Sequence, residues 1–130
     1  FGTVARLLKP GGRACVQSIV IDDALFDRYV QGTDFIQQYV FPGGCLPSPA
    51  RFRAAAQQAG LRVVEELAFG TDYAETLRRW HCAFMQQHAQ VLAQGFDAKF
   101  LRTWEFYLAY CEAAFDSRSI DVVQFTLVKD

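Results

Sequence analysis

The chain has 130 residues and a mass of 14.7 kDa, which is enough for one domain and too little for two. Thirteen basic and fourteen acidic residues give a formal charge of −1, and this balance argues against a nucleic-acid-binding protein, which needs a basic surface. Hydrophobic residues make up 52% and charged residues 21% of the chain, which excludes a disordered protein. No apolar run approaches the roughly 20 residues of a membrane-spanning helix, and no signal peptide opens the chain, so we expect a soluble domain.

The chain contains four cysteines, at positions 15, 45, 82 and 111. Their spacing includes no Cys-x-x-Cys pair, so zinc-ribbon and thioredoxin-type sites are excluded and no metal site is predicted. Because no secretory signal accompanies them, we expect four reduced thiols. The aromatic content is high, with 12 Phe, 5 Tyr and 2 Trp, and it suits a large core or a site for an apolar substrate.

The first sixty residues predict one strand among several short helices. Residues 1–8 have the pattern of a helix end, which the Lys-Pro-Gly-Gly sequence of residues 9–12 stops. Residues 13–21 are rich in β-branched side chains and predict a largely buried strand. Capping residues then indicate three helices, opened in turn by Asp22 or Asp23, by Thr33 or Asp34, and by Ser48, the last spanning residues 49–59.

The second half predicts two strands that enclose two long helices. Residues 61–69 and 121–128 are the strands. Asp72 and Glu75 have the spacing of a capping box, and the helix that they open carries one continuous apolar face, with Tyr73, Leu77, Trp80, Phe84, His88 and Val91. Gly95 ends this helix, and a second one follows over residues 98–115 with its own apolar stripe.

This order of elements predicts an α/β fold with about three strands and a large helical insertion. Three strands form a poor sheet for so much helix, and the first strand would expose a long apolar edge. The chain also begins without methionine, inside a predicted helix. We therefore expect residues 1–130 to be one unit, the second half of a larger fold.

Four segments carry a resemblance to a known family. They are residues 7–13 (LLKPGGR), 33–48 (TDFIQQYVFPGGCLPS), 72–80 (DYAETLRRW) and 104–115 (WEFYLAYCEAAF). The first resembles the segment that precedes the fifth strand of class I S-adenosylmethionine-dependent methyltransferases. The other three, in this order, resemble the C-terminal part of the cyclopropane-fatty-acyl-phospholipid synthase family, which includes the mycolic acid cyclopropane synthases. These are class I S-adenosylmethionine-dependent methyltransferases with a Rossmann-like fold, so the resemblance implies the C-terminal half of that fold.

The resemblance implies a particular reaction. Family members methylate the double bond of an unsaturated acyl chain on a phospholipid, a bound bicarbonate takes a proton from the new methyl group, and a cyclopropane ring closes. Such chemistry needs an apolar tunnel, electron-rich aromatic rings near the cation and a base shielded from water. The implied partners are the lipid chain and, peripherally, the cytoplasmic face of the inner membrane.

Matching by position assigns the catalytic and bicarbonate-binding residues. Cys111 matches the active-site cysteine, Tyr73 a tyrosine that contacts the bicarbonate, and Ile19 a residue that offers its backbone amide. Gln17 departs from the family, because many members have histidine there. Glutamine donates a hydrogen bond but takes no charge, which indicates either a retuned site or a member that forms a methyl branch without closing a ring.

The same matching places four residues in the walls of the acyl tunnel: Phe41, Pro42, Leu77 and Phe115. The family's glycine-rich nucleotide loop and its acidic bicarbonate ligand precede this segment. The glycine pairs at positions 11–12 and 43–44 do not match the loop. These 130 residues are therefore not expected to bind S-adenosylmethionine alone. The exposed strand edge favours a homo-oligomer.

Without the resemblance, the same residues have plainer interpretations. Cys111 would be an inert buried thiol and Tyr73 a core tyrosine. Packing or structural roles are the simpler interpretation for Cys15, Cys45, Cys82, Trp80, Trp104, His81 and His88. The two histidines lie roughly 10.5 Å apart along a helix, which is too far to share a metal ion. A free-standing, non-catalytic lipid- or partner-binding module thus remains the alternative, and a start codon just upstream would favour it, whereas continuous coding sequence with a glycine-rich loop would favour the enzyme.

Overall fold

The computed structural model describes all residues from Phe1 to Asp130 as seven helices and three strands. The helices are α1 (Gly2–Leu7), α2 (Asp23–Gln31), α3 (Phe35–Tyr39), α4 (Pro49–Gln58), α5 (Gly70–Gln86), α6 (His88–Ala93) and α7 (Ala98–Asp116). The strands are β1 (Arg13–Ile21), β2 (Leu61–Ala68) and β3 (Ile120–Lys129). The predicted α/β class with three strands and a large helical insertion is confirmed.

The sheet has the order β1-β3-β2, and β3 runs antiparallel to both neighbours. β1 and β2 therefore point the same way, and each has one unpaired edge. The register of β1 against β3 places Gln17 opposite Gln124 and Ile19 opposite Val122. A bulge between Val63 and Glu65 interrupts the other pairing.

One face of the sheet is closed by α4 and α1. Phe52 and Ala56 of α4 are buried against the β3 side chains Phe125 and Leu127, and the rings of Phe52 and Phe125 stack 3.8 Å apart. Ser48 caps α4 by accepting from the Arg51 amide at 3.4 Å, as the Ser-Pro pattern predicts. This half of the core holds the sheet that carries the site.

The other face is only partly covered. The long helices α5 and α7 bury Leu77, Leu108 and Phe115 against Val122 at one end of β3. At the other end no helix covers the sheet, so Cys15 and Gln17 are exposed. The boundary between covered and open sheet lies between Ile19 and Gln17.

Two expectations for α5 are wrong. Asp72 and Glu75 form no capping box, because the helix begins two residues earlier at Gly70, whose N–H donates to the Asp121 carboxylate at 2.7 Å. The capping box forms instead at α3, between Asp34 and Gln37. The predicted long helix also breaks at Gln87, where the dihedral angles φ −105° and ψ 9° separate α5 from α6.

Several packing expectations also need correction. Cys15, Cys45 and Cys82 are exposed and form no disulfide, so they are not packing cysteines. Trp80 is 51% exposed and contacts Tyr73 edge-on at 6.0 Å. Trp104, by contrast, packs against the α5–α7 core as expected. No helix of the chain combines the length and apolarity that crossing a membrane requires.

Candidate active site

A cavity of about 120 Å³ lies where β1, the segment after α2 and helix α7 meet. Its apolar wall includes Ile19, Ile36, Phe41, Tyr107, Cys111 and Phe115. Two polar groups of the wall already have partners. The Tyr29 hydroxyl accepts from the Leu46 amide at 3.0 Å, and the Asp34 carboxylate accepts from the Gln37 amide at 2.8 Å. The remaining surface suits hydrocarbon better than a polar ligand.

Cys111 and Tyr107 form a neutral pair in this wall. They lie one turn apart on α7, within hydrogen-bonding reach of each other. Burial raises the pKa of the Cys111 thiol to about 11, although the bond with Tyr107 works in the opposite direction. Burial, aided by the nearby thiol, raises the pKa of Tyr107 to about 12. Near neutral pH, Cys111 is thus a protonated thiol and not a thiolate nucleophile.

A row of aromatic rings leads away from the cavity along α7. Ring centroids lie 4.4 Å apart for Phe96 and Phe100, 5.8 Å for Phe100 and Trp104, and 4.8 Å for Trp104 and Tyr107. Phe41 closes the row at the cavity, 6.2 Å from Tyr107. Phe100, Trp104 and Tyr107 are spaced by 4 and 3 residues, which places their rings on one side of α7, and Phe96 stacks on Phe100 from the loop before the helix. We call this surface the α7 aromatic row.

The structure brings half of the predicted site residues into the cavity wall: Ile19, Phe41, Cys111 and Phe115. Tyr73 lies behind this wall, with its ring 5.1 Å from Phe115, and its hydroxyl has no hydrogen-bond partner within the chain. Leu77 is buried in the core beneath Cys111 and Phe115. Pro42 shares the exposed turn of Phe41 but does not line the cavity.

Gln17 lies on the open part of the sheet, next to the cavity and not in its wall. Its Oε1 accepts from Gln124 Nε2 at 3.0 Å, which leaves its own Nε2 free. The Ile21 amide donates to the Pro47 carbonyl, on the side away from β3. Because N–H groups alternate between the two edges of a strand, the Ile19 amide also faces this unpaired edge. Gln17 and Ile19 therefore offer hydrogen-bond donors beside the cavity.

Sequence reasoning missed Tyr107, Tyr29 and Asp34 as cavity residues. Tyr107 precedes Cys111 by four residues on one helix, and this spacing alone could have indicated it. Tyr29 and Asp34 had no such signal, because their places depend on how the segment after α2 folds back over α7.

No group of three or more metal-ligating side chains forms in the chain. His81 Nε2 lies 3.8 Å from a Glu105 oxygen, and His88 packs on Phe84.

A three-stranded sheet with an antiparallel central strand, and a helical pair that holds an apolar cavity, is the arrangement found in methyltransferases. The structure matches a mycolic acid cyclopropane synthase solved with SAH and CTAB, with a TM-score of 0.87, 27% identity, and coverage of 98% of this chain and 48% of that one. A putative sarcosine dimethylglycine methyltransferase from Galdieria sulphuraria shares the fold, with a TM-score of 0.84 and 14% identity over 99% of this chain and 46% of that one. The fold is thus the C-terminal half of a Rossmann-like methyltransferase.

The sequence comparisons give the family. Residues 1–125 match the model described as mycolic acid cyclopropane synthetase, and the chain belongs to this family. Tuberculostearic acid methyltransferase of Mycobacterium tuberculosis is 42% identical, over all of this chain and 31% of its own length. Cyclopropane-fatty-acyl-phospholipid synthase of Escherichia coli K12 is 34% identical, over 95% of this chain and 31% of its own length. The chain thus spans about a third of the length of the curated relatives it matches.

Proposed function

We propose that residues 1–130 are the C-terminal part of a methyltransferase catalytic domain that acts on the double bond of an unsaturated phospholipid acyl chain and produces a cyclopropane fatty acid. The family consists of S-adenosylmethionine-dependent cyclopropane and methyl transferases that act on lipids. The observation that carries the proposal is the apolar cavity beside Cys111, which is continuous with the α7 aromatic row.

The acyl chain is the ligand that this surface suits. The cavity wall is mostly hydrocarbon and aromatic, and the aromatic row extends it by roughly 10 Å, the rise of seven helical residues from Phe100 to Tyr107. Phe41, Tyr107 and Phe115 present rings around one small volume. Because the phenol of Tyr107 stays protonated well above neutral pH, these rings can stabilise a developing positive charge by cation–π attraction without neutralising it.

Bicarbonate suits two donors beside the cavity, Ile19 and Gln17, together with the Tyr73 hydroxyl behind its wall. The Ile19 amide faces an unpaired strand edge, Gln17 Nε2 is free, and the Tyr73 hydroxyl has no partner in the chain. All three groups donate hydrogen bonds and none is negatively charged, which is the donor set that a small anion needs. Bound there, bicarbonate would supply the base that accepts a proton during ring closure. We propose that these three residues hold and orient it.

Cys111 acts in this proposal as a neutral group. Its thiol donates to an acceptor or fills the wall beside the reacting carbon, since burial keeps it protonated. Leu77 and Phe115 keep its helix in place and help to exclude water, which protects a cationic intermediate from capture. Pro42 contributes by fixing the turn that presents Phe41.

Neither glycine pair of the chain resembles the loop with which the family is expected to hold S-adenosylmethionine. The amides of Gly11, Gly12 and Gly44 donate to the carbonyls of Lys129, Lys9 and Phe41, so three of these four glycine amides are engaged within the chain. We propose that the cofactor is held by residues outside this segment.

Contact with a membrane follows from a phospholipid substrate. Tyr39, Phe41 and Phe106 expose half or more of their surfaces near the cavity, at 69%, 55% and 51%. Exposed aromatic rings of this kind bind well at the lipid headgroup boundary. We propose that the protein acts peripherally at the cytoplasmic surface of the inner membrane, with its aromatic side toward the lipid.

The test is expression of the complete protein in a bacterial host that makes unsaturated phospholipids but lacks its own synthase. The fatty acids are then analysed by mass spectrometry, and proton NMR separates cyclopropane rings from methyl branches. The expected result is a new cyclopropane fatty acid that disappears in the Phe115→Ala variant. Unchanged lipids despite folded protein at the membrane would support the non-catalytic binding module instead.

A second product is favoured by one residue. Gln17 takes no charge where many relatives have histidine, and the 42%-identical relative is named a methyltransferase, not a cyclopropane synthase. A weaker hold on the base would let the cation lose a proton from a neighbouring chain carbon, which leaves a methyl-branched chain with a double bond in place of a ring. The same analysis decides between the two, and Gln17→His should shift the product ratio toward the ring.

A further inference from the structure

We propose that Gln124 is a positioning residue that fixes the direction of the Gln17 side-chain amide, and thereby makes Gln17 a hydrogen-bond donor to an anion. The inference rests on the proposed function, because the anion is bicarbonate at the site described above. It names a residue that the family resemblance does not supply.

The sheet register makes this pairing direct. Gln17 of β1 and Gln124 of β3 are opposite each other, and both side chains lie on the face that α5 and α7 leave open. Gln124 Nε2 donates to Gln17 Oε1 at 3.0 Å. The two residues are 107 positions apart in sequence, and the contact exists only because β3 lies next to β1.

The direction of this bond decides what Gln17 offers to a ligand. A pair of amides can bond either way, since each has one acceptor and one donor group. With Gln124 as the donor, the Gln17 oxygen is occupied and its NH₂ group faces outward. With the direction reversed, the Gln17 oxygen would face the ligand and repel a negatively charged acceptor. The observed direction suits an anion.

The neighbouring groups are consistent with this assignment. Two residues further along β3, the Thr126 hydroxyl donates to Glu65 at 3.5 Å, so this carboxylate is engaged with a residue other than Gln17. The Ile19 amide lies two residues from Gln17 on the same strand edge. Gln17 and Ile19 thus offer two donors at neighbouring positions of β1, provided that Gln124 holds the amide of Gln17.

The decisive variant is Gln124→Glu, which keeps the shape but only accepts hydrogen bonds. Gln17 must then donate to residue 124 and turn its oxygen outward. We expect the dissociation constant for [13C]bicarbonate, measured by NMR on the complete protein without cofactor or lipid, to rise about 10- to 100-fold, as when a charge-assisted hydrogen bond is lost. Gln124→Met, which frees the amide to rotate, should raise it only a few-fold. Val128→Thr, on the same face of β3 but four residues from Gln124, is the matched control and should leave it unchanged.

A double-mutant cycle separates orientation from simple charge repulsion. In a Gln17→Met background no amide remains to be reversed, so Gln124→Glu should weaken bicarbonate binding further by less than about twofold. An equal loss in both backgrounds would show that the new charge repels the anion directly, and would overturn the inference.

Two further outcomes are decisive. In one outcome, the wild-type protein binds bicarbonate and Gln17→Met weakens this binding. If a folded Gln124→Glu variant then binds bicarbonate as the wild type does, the positioning role is wrong and the anion site stands. If the wild-type protein does not bind bicarbonate at all, the proposed anion site fails, and the inference fails with it. Melting temperatures of all variants within a few degrees of wild type establish that the sheet is intact.

Discussion

The neutral thiol of Cys111 makes a quantitative prediction about alkaline stability. Burial raises its pKa from 9.0 to about 11, so between these values the folded protein keeps a proton that the unfolded chain has lost. Because the folded-state pKa is raised, the stabilisation is fully present below pH 9 and is lost as the pH rises towards 11. The loss amounts to about 1.4 kcal/mol for each pH unit in this window.

The perturbation is Cys111→Ala, which removes the titrating group. From pH 8 to pH 10, the wild-type free energy of unfolding should fall by about 1.3 kcal/mol more than that of the variant. Tyr107, whose pKa rises from 10.0 to about 12, contributes chiefly above this range. The variant is less stable overall because a small cavity replaces the sulfur, but the difference in pH dependence is independent of that offset.

The assay is urea unfolding of the complete protein at several pH values, followed by fluorescence. Cys82→Ala, which removes an exposed thiol from α5, is the matched control, and its pH profile should follow that of the wild type. Equal slopes for Cys111→Ala and the wild type would refute the reasoning. Cys111 would then be solvated in the folded protein, and the cavity would not be the dry site that cation chemistry requires.

Three further predictions concern the site and the assembly. Tyr73→Phe in the complete protein should raise the activation barrier for turnover of an unsaturated phospholipid by about 2–4 kcal/mol, because a hydroxyl donor is lost. Cys111→Ser should also slow this turnover. Near-wild-type rates in both variants would contradict the site assignment. Calorimetry of the 130-residue chain should detect no S-adenosylmethionine binding, and a micromolar dissociation constant would contradict this expectation. Light scattering of that chain should give a dimer or larger species, because the β1 and β2 edges are unpaired; a mass of 14.7 kDa at all concentrations would argue against it.

The elements that sequence alone predicted well are those with local causes. The Ser48-Pro49 start of α4 and the β-branched run of β1 lie where they were expected, because a cap or a strand pattern acts within a few residues. The predicted start of α7 at residue 98 is of the same kind, because the structure shows the Asp97 carboxylate accepting from the Phe100 amide at 2.7 Å.

What sequence could not supply depends on contacts across the chain. The Gln17–Gln124 pair and the place of Tyr29 over α7 result from strand register and loop packing, which no local pattern encodes. The break at Gln87 has neither glycine nor proline to signal it. Four of the eight residues that the resemblance assigned line the cavity wall, but it could not indicate that Tyr73 and Leu77 lie behind that wall.

The start of α5 shows how a local pattern can be overridden, and it yields the last prediction. Asp72 and Glu75 have the spacing of a cap, yet the Gly70 amide donates to Asp121, which is 51 residues away. A Cβ on residue 70 would come within 2.6 Å of the Asp121 oxygen, so only glycine allows the approach. This bond anchors the first turn of α5, three residues before Tyr73.

Asp121→Ala should therefore lower the free energy of unfolding by about 1.5–3 kcal/mol, the range for a hydrogen bond to a charged acceptor. Asp121→Asn keeps an acceptor and should recover most of the loss. Asp72→Ala, the matched control in the same turn, should cost no more than about 0.5 kcal/mol. If Asp72→Ala proved the more damaging change, the local cap would hold the helix after all, and Tyr73 would owe its position to the sequence around it and not to the sheet.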